Sequence, residues 1–140
     1  MEKAGAILQE RGRVAVELAK ENMLREKVEY APLRDALRYF MADWKDFLHP
    51  ALVSLACEAV GGKSEMTTKI GAALVLLAGG ADIHDDIIDG STTKGADQTV
   101  FGKFGIDLAI LAGDALLLEG TCLLHEACEE FGATEKKAVL

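Results

Sequence analysis

The stretch Asp82-Ile83-His84-Asp85-Asp86-Ile87-Ile88-Asp89-Gly90 decides the reading of this chain. Four carboxylates fall within eight residues, with no Lys or Arg among them, at the end of a long apolar run. Ile70, Ala73, Leu74, Leu77, Ala78 and Ala81 recur in that run at helical spacing. Residues four apart on a helix share a face, so Asp85 and Asp89 point the same way. Asp82 precedes Asp85 by three residues and lies on nearly the same face, while Asp86 is rotated by about 100°. A helix C-terminus carries partial negative charge, so acids gathered there call for a compensating cation.

Working outward, this helix is predicted over residues 64–89, with Ser64 as its cap and Glu65 in its first turn. Gly71, Gly79 and Gly80 inside it mark either tight helix packing or space for a ligand. Before it, residues 2–29 read as a solvated outer helix with Ile7, Val14, Leu18 and Leu24 as its apolar stripe. Pro32 breaks that helix. A second helix is predicted over 32–47, burying Leu33, Leu37, Phe40, Met41 and Trp44, and a third over 51–60, closed by Gly61-Gly62. After the acidic cluster, residues 90–98 read as a polar loop and 106–131 as a fifth helix. Asp114 lies in that helix among apolar residues, so it is expected to be buried with a partner: a neighbouring helix, or the wall of a metal site. Thr134 and Glu135 look like the start of a sixth helix over 134–140, so the chain is expected to be a fragment or a half.

The composition agrees with packed helices. Half of the 140 residues are hydrophobic, only 6% are aromatic, and there are two prolines. The length fits a single all-α domain over 1–140. A net charge of −8 without a basic stripe argues against nucleic acid or an anionic membrane as partner. Cys57, Cys122 and Cys128 form no CxxC pair and are expected as buried free thiols in a reducing compartment. The N-terminus carries no signal-peptide apolar region, and the runs 71–83 and 106–118 are too short and interrupted to span a bilayer. The expectation is a cytoplasmic protein with no transmembrane segment.

Two carboxylates one turn apart can share a hard cation through oxygen. Mg²⁺ suits the arrangement, because it takes one or two carboxylates and fills its shell with waters and phosphate oxygens. Four aspartates at a solvated helix end also read as ordinary surface charge, and the pattern leaves that alternative open. The spacing lacks the alternation and closing Glu of a calcium loop. No contrast of environment marks an acid and a base for hydrolysis. His84, alone beside the cluster, reads first as packing.

Asp85-Asp86-Ile87-Ile88-Asp89 resembles the first aspartate-rich motif, DDxxD, of the trans-isoprenyl diphosphate synthases, the polyprenyl synthetase family. The likeness extends to Phe104-Gly105 and Leu111-Ala112-Gly113-Asp114-Ala115-Leu116-Leu117, and covers about residues 40–130. It implies an all-α antiparallel bundle of the isoprenoid synthase type, of which this chain is about half. It also implies a Mg²⁺-dependent prenyltransferase that condenses an allylic diphosphate with isopentenyl diphosphate. Asp85 and Asp89 would be catalytic metal ligands with Asp86 supporting as a third. Lys94 and Asp82 would face the substrate, and the small Gly80 and Ala81 would let a long prenyl tail pass. Where the family places basic residues for isopentenyl diphosphate, this chain has Asp46 and His49, with Lys45 alongside. Ala78 replaces the family's His, Thr93-Lys94 replaces its paired Arg, and no second aspartate-rich motif is present. The expected partner is therefore another chain, in a homo- or hetero-oligomer, that supplies this motif. The alternative implied is a non-catalytic regulatory or prenyl-diphosphate-binding subunit of a heteromeric synthase.

Overall fold

The computed structural model describes residues 2–25 and 28–130 of the chain. Among them are six α-helices: α1 (Glu2–Arg25), α2 (Ala31–Asp43), α3 (Leu48–Ala59), α4 (Thr68–Ile88), α5 (Val100–Phe104) and α6 (Ile106–Glu129). A turn of 3₁₀ helix, Ser64–Thr67, leads into α4, and two short strands, β1 (Thr93–Lys94) and β2 (Asp97–Gln98), pair antiparallel between α4 and α5. The sixth helix expected over 134–140 lies outside the described residues.

The bundle is built around α4. Its broadest contact is with α6, and α1 and α3 pack on its other side. Ala72, Ala73, Val75, Leu76 and Ile83 of α4 are fully buried, and Leu37, Met41 and Leu116 close over them from α2 and α6. The segment Ser64–Ile88 is long and apolar enough to cross a membrane by length and composition, contrary to the sequence expectation. Here its apolar face is spent on neighbouring helices, and it ends in charged aspartates.

Small residues decide how closely these helices approach. A Cβ on Gly80 would stand 2.8 Å from the Gly113 carbonyl oxygen of α6, and one on Gly79 would stand 2.8 Å from the Phe40 ring. Gly71 packs against Pro50 and Ala15. All three glycines are packing contacts, which settles the two readings of the pattern. The same logic corrects α1. Its proposed stripe points largely outward, since Ile7, Val14 and Leu24 are exposed. The buried face is Gly12, Ala15, Val16, Ala19 and Met23, because small side chains admit α3 and α4 where larger ones would hold them off.

Two boundaries shift for local reasons. α2 stops at Asp43, where Trp44 turns extended (φ −62, ψ 120). α3 starts at Leu48 because the Asp46 Oδ1 accepts the N–H groups of Leu48 (3.0 Å) and His49 (3.4 Å), as a capping carboxylate does. Pro50 then falls in the first turn, where a missing N–H costs nothing. The cysteines are free, but only Cys128 is buried; Cys57 is half-buried and Cys122 is exposed, a correction to the expected burial.

Candidate functional site

The carboxylates sit where α4 leaves the core. Asp85 and Asp89 are both exposed, and the Asp89 N–H donates to the Asp85 carbonyl at 2.8 Å. Asp89 keeps helical angles (φ −81, ψ −8) although it caps the helix, so the one-turn register of the pair survives to the last residue. Asp86 is turned to the other side and only 5% exposed. Asp82 is half-buried beside it.

The segment that follows is an ordered hairpin rather than an irregular loop. Gly90 (φ +66) ends α4, and Gly95 (φ +64) takes the first central position of the two-residue turn, as a II′ hairpin requires. The Ser91 N–H donates to the Asp86 carbonyl (2.8 Å), and the Thr99 N–H to the Thr92 carbonyl (3.0 Å). The Tyr39 hydroxyl of α2 donates to the Gln98 carbonyl at 2.7 Å. So anchored, the hairpin delivers Lys94 between two aspartates: its Nζ is 2.7 Å from Asp82 Oδ2 and 3.1 Å from Asp86 Oδ1.

Lys94 therefore divides the four acids. Burial pushes the Asp86 carboxyl above its ordinary range, Lys94 pulls it back incompletely, and Asp82 and Asp85 add to the rise. Burial works against the charge on Lys94 too, but the hydrogen bonds it donates to Asp82 and Asp86, with their negative charge, outweigh it and hold the ammonium above its ordinary value. Asp82 and Asp86 share the one ammonium of Lys94, while Asp85 and Asp89 stand at the surface with no side-chain ion pair among the described residues. Sequence spacing had grouped Asp82 with Asp85. The lysine that separates them lies twelve residues further on, brought back by a hairpin whose signal was the Gly95 turn.

Two openings meet at Asp82. One, of about 210 Å³, lies between α2 and the hairpin and is lined by Tyr39, Phe40, Asp86 and Lys94. The other is a cleft of about 580 Å³ lined by Trp44, Lys45, Asp46, His49, Ala78, Ala81, Asp82 and Asp85. It gathers Lys45, His49, Ala81, Asp82 and Asp85 from the sequence-derived set. Gly80 is not among its lining residues; it is buried against α6 instead. In the cleft wall the His49 Nδ1 is held by Asp46 Oδ2, and the Trp44 indole N–H is buried without a hydrogen-bond partner.

Asp114 is corrected from buried to 55% exposed on the outer face of α6, 3.5 Å from His84 Nε2. His84 packs against Gly113, which leaves both outside the carboxylate site. Among the described residues no group of three or more His, Cys, Asp or Glu side chains converges tightly enough to hold a metal unaided. Asp85 and Asp89 are an all-oxygen donor pair open to solvent. That donor set fits a hard cation that completes its shell with water and phosphate oxygens.

A helix bundle with this aspartate pair at the end of its central helix has the architecture of the isoprenoid synthases. The chain belongs to the polyprenyl synthetase family, whose model matches residues 31–139. It is 36% identical over 80 residues to a geranylgeranyl diphosphate synthase of Sulfolobus acidocaldarius, covering 57% of this chain and 24% of that one. It is 33% identical over 96 residues to the large subunit 1 of a heterodimeric geranylgeranyl pyrophosphate synthase of Arabidopsis thaliana, covering 67% of this chain and 25% of the relative. The structure of a geranylgeranyl pyrophosphate synthetase from Pyrococcus horikoshii superposes with a TM-score of 0.82 at 27% identity, over 98% of this chain and 41% of that one. The chain thus spans less than half the length of these relatives.

Proposed function

We propose that this chain supplies the allylic-diphosphate half of a Mg²⁺-dependent prenyltransferase site of isoprenoid biosynthesis. The observation that carries the reading is the division of the acids: Asp85 and Asp89 stand exposed one turn apart, while Asp82 and Asp86 are paired with Lys94. Asp85 and Asp89 would hold the ion, with Asp86 supporting them from behind through the helix end. Bound there, Mg²⁺ would stabilise the charge on the departing diphosphate. Lys94 offers a point charge to a phosphate at the rim, and Ala81 leaves room for the prenyl chain.

The family resemblance assigns isopentenyl diphosphate as acceptor. A second aspartate-rich motif would come from another chain or from further sequence; the Arabidopsis relative is itself named as one subunit of a heterodimer. The alternative, a regulatory or prenyl-diphosphate-binding subunit, is favoured by one observation: a carboxylate-held histidine occupies the place of the family's diphosphate-binding cations.

Calorimetric titration with geranylgeranyl diphosphate, with and without Mg²⁺, tests the half-site. Saturable binding should require the metal and should weaken at least about tenfold in Asp85→Asn/Asp89→Asn. Metal-independent binding, or an unchanged affinity in the double variant, would remove the basis for this assignment.

A further inference from the structure

Lys94 is carried by a hairpin too short to hold itself. β1 and β2 have two residues each, and all four are exposed, so no buried side chain anchors them. An isolated pair of this length is marginal at best in water. Its base is fixed: the Thr99 Oγ1 donates to the Ser91 carbonyl at 2.8 Å and accepts the Gly102 N–H at 3.0 Å. A methyl on Gly102 would run into the Thr92 carbonyl, so α5 lies directly against that base. These contacts end at Thr92 and Thr99, just outside the two strands.

Apart from the bonds of Lys94 itself, one hydrogen bond among the described residues ties the strands to the rest of the molecule. The Tyr39 hydroxyl of α2 donates to the Gln98 carbonyl at 2.7 Å. Gln98 pairs with Thr93 and Asp97 with Lys94, so the hydroxyl acts one rung of the ladder away from Lys94. Tyr39 is in turn fixed from α5. The Lys103 Nζ lies 3.7 Å from its ring centroid, and the Phe104 ring meets it at 64° with centroids 5.5 Å apart. The ring packs, and the hydroxyl reaches the strand. Lys94 needs such a fixed base, because its ammonium spans two carboxylates, at 2.7 Å and 3.1 Å. A lysine on a free loop would hold that geometry part of the time, since its four-carbon stem resists ordering.

We propose that Tyr39 is a positioning residue of the site: its hydroxyl sets the strand that carries Lys94, and so holds the lysine where it pairs with Asp82 and Asp86 at the rim of the diphosphate site. The hydroxyl is spent on Gln98, so Tyr39 acts through Lys94 and not on a ligand. The consequence for diphosphate binding rests on the prenyltransferase reading above; the placement of Lys94 does not.

The 140-residue chain with nitrogen-15 in its lysine side chains is compared as wild type and as Tyr39→Phe, with the Lys94 signal assigned by Lys94→Arg. Phe keeps the ring against Lys103 and Phe104, and thermal unfolding checks that the variant is folded. The wild-type Lys94 ammonium should give a resolved signal that exchanges slowly with water. In Tyr39→Phe that signal should move to the position of the exposed lysines. Geranylgeranyl diphosphate with Mg²⁺ is then titrated into wild type, Tyr39→Phe, Lys94→Ala and the double variant. Tyr39→Phe is expected to weaken binding about three- to fivefold, as the loss of one neutral hydrogen bond does. In the Lys94→Ala background the same change should have no further effect. A Lys94 signal unmoved by Tyr39→Phe overturns the proposal. So does a Tyr39→Phe effect of equal size in both backgrounds, which is the signature of a merely structural role. The Lys94 signal is read without ligand, so failure of the half-site assignment is seen separately, as absence of metal-dependent binding in the wild type.

Discussion

Lys94 governs how the four aspartates divide, because among the described residues it is the cation that pairs with the cluster, through Asp82 and Asp86. Asp86 is 7% exposed at its side chain and would be a buried, unpaired charge without it. Lys94→Ala is therefore expected to lower stability by about 1–2 kcal/mol at neutral pH in urea unfolding, discounted because the lysine itself is half exposed. The pH dependence follows from the sign of the shift. Asp86 already has a raised folded-state pKa, and removing Lys94 raises it further. A carboxyl raised in the folded state favours folding below its unfolded pKa and loses that benefit as pH rises through the folded value. The deficit of Lys94→Ala should thus shrink in acid and reach its full size above the raised Asp86 pKa. Asp85→Asn/Asp89→Asn, by contrast, should leave unfolding within about 0.5 kcal/mol of wild type, since both side chains are solvated and sit at the unfavourable end of the helix dipole. The sequence made the Asp85–Asp89 pair legible through helical spacing. It could not show that Asp82 belongs with Asp86, because that depends on where a hairpin places one side chain.

The existence and order of the long helices were legible from apolar spacing and from the Gly and Pro punctuation; the short α5 was not foreseen, and boundaries moved where local geometry intervened, at the Asp46 cap before α3, the extended Trp44 after α2 and the 3₁₀ turn before α4. The faces were less legible. In α1 Ile7, Val14 and Leu24 look outward, while Gly12, Ala15 and Ala19 face the core together with Val16 and Met23, because contact distance as well as hydropathy selects what lies between closely packed helices. This gives a contrast within one residue type. A methyl on Gly80 would meet the backbone oxygen of Gly113, which cannot rotate away, so Gly80→Ala should push α4 from α6. The expected cost is about 1–3 kcal/mol. Gly5 has nothing within 4 Å of the same methyl and lies in the helical α1. Gly5→Ala should raise stability by about 0.5–1 kcal/mol through helix propensity. Thermal unfolding of the two variants, read side by side, checks that the glycines of α4 are there for packing.

At the scale of the molecule, binding and turnover make different demands. Holding a metal-bridged diphosphate needs the Asp85–Asp89 pair and an open approach, and both are present: Asp85, Ile88 and Asp89 are exposed at the end of α4. Breaking the allylic C–O bond needs more, because the developing cation must be shielded from bulk water and the diphosphate gripped from both sides. Among the described residues the cleft at Asp85 has walls from the segment between α2 and α3, from α3 and from α4 only, and the relatives of this chain are more than twice its length. The acidic motif marks one wall of the proposed site, and groups that would face it are not among the described residues lining the cleft. The 140-residue chain is accordingly expected to bind geranylgeranyl diphosphate with Mg²⁺ but to release no pyrophosphate beyond the uncatalysed rate. Addition of a chain carrying a second aspartate-rich motif should restore release, and Asp85→Ala or Asp89→Ala should abolish the restored rate by at least about a hundredfold. Pyrophosphate release is the right measure because it reads the ionisation whichever acceptor follows. Release by the chain alone would show that the open cleft suffices, and restored release that ignores both aspartates would assign the chain a regulatory role.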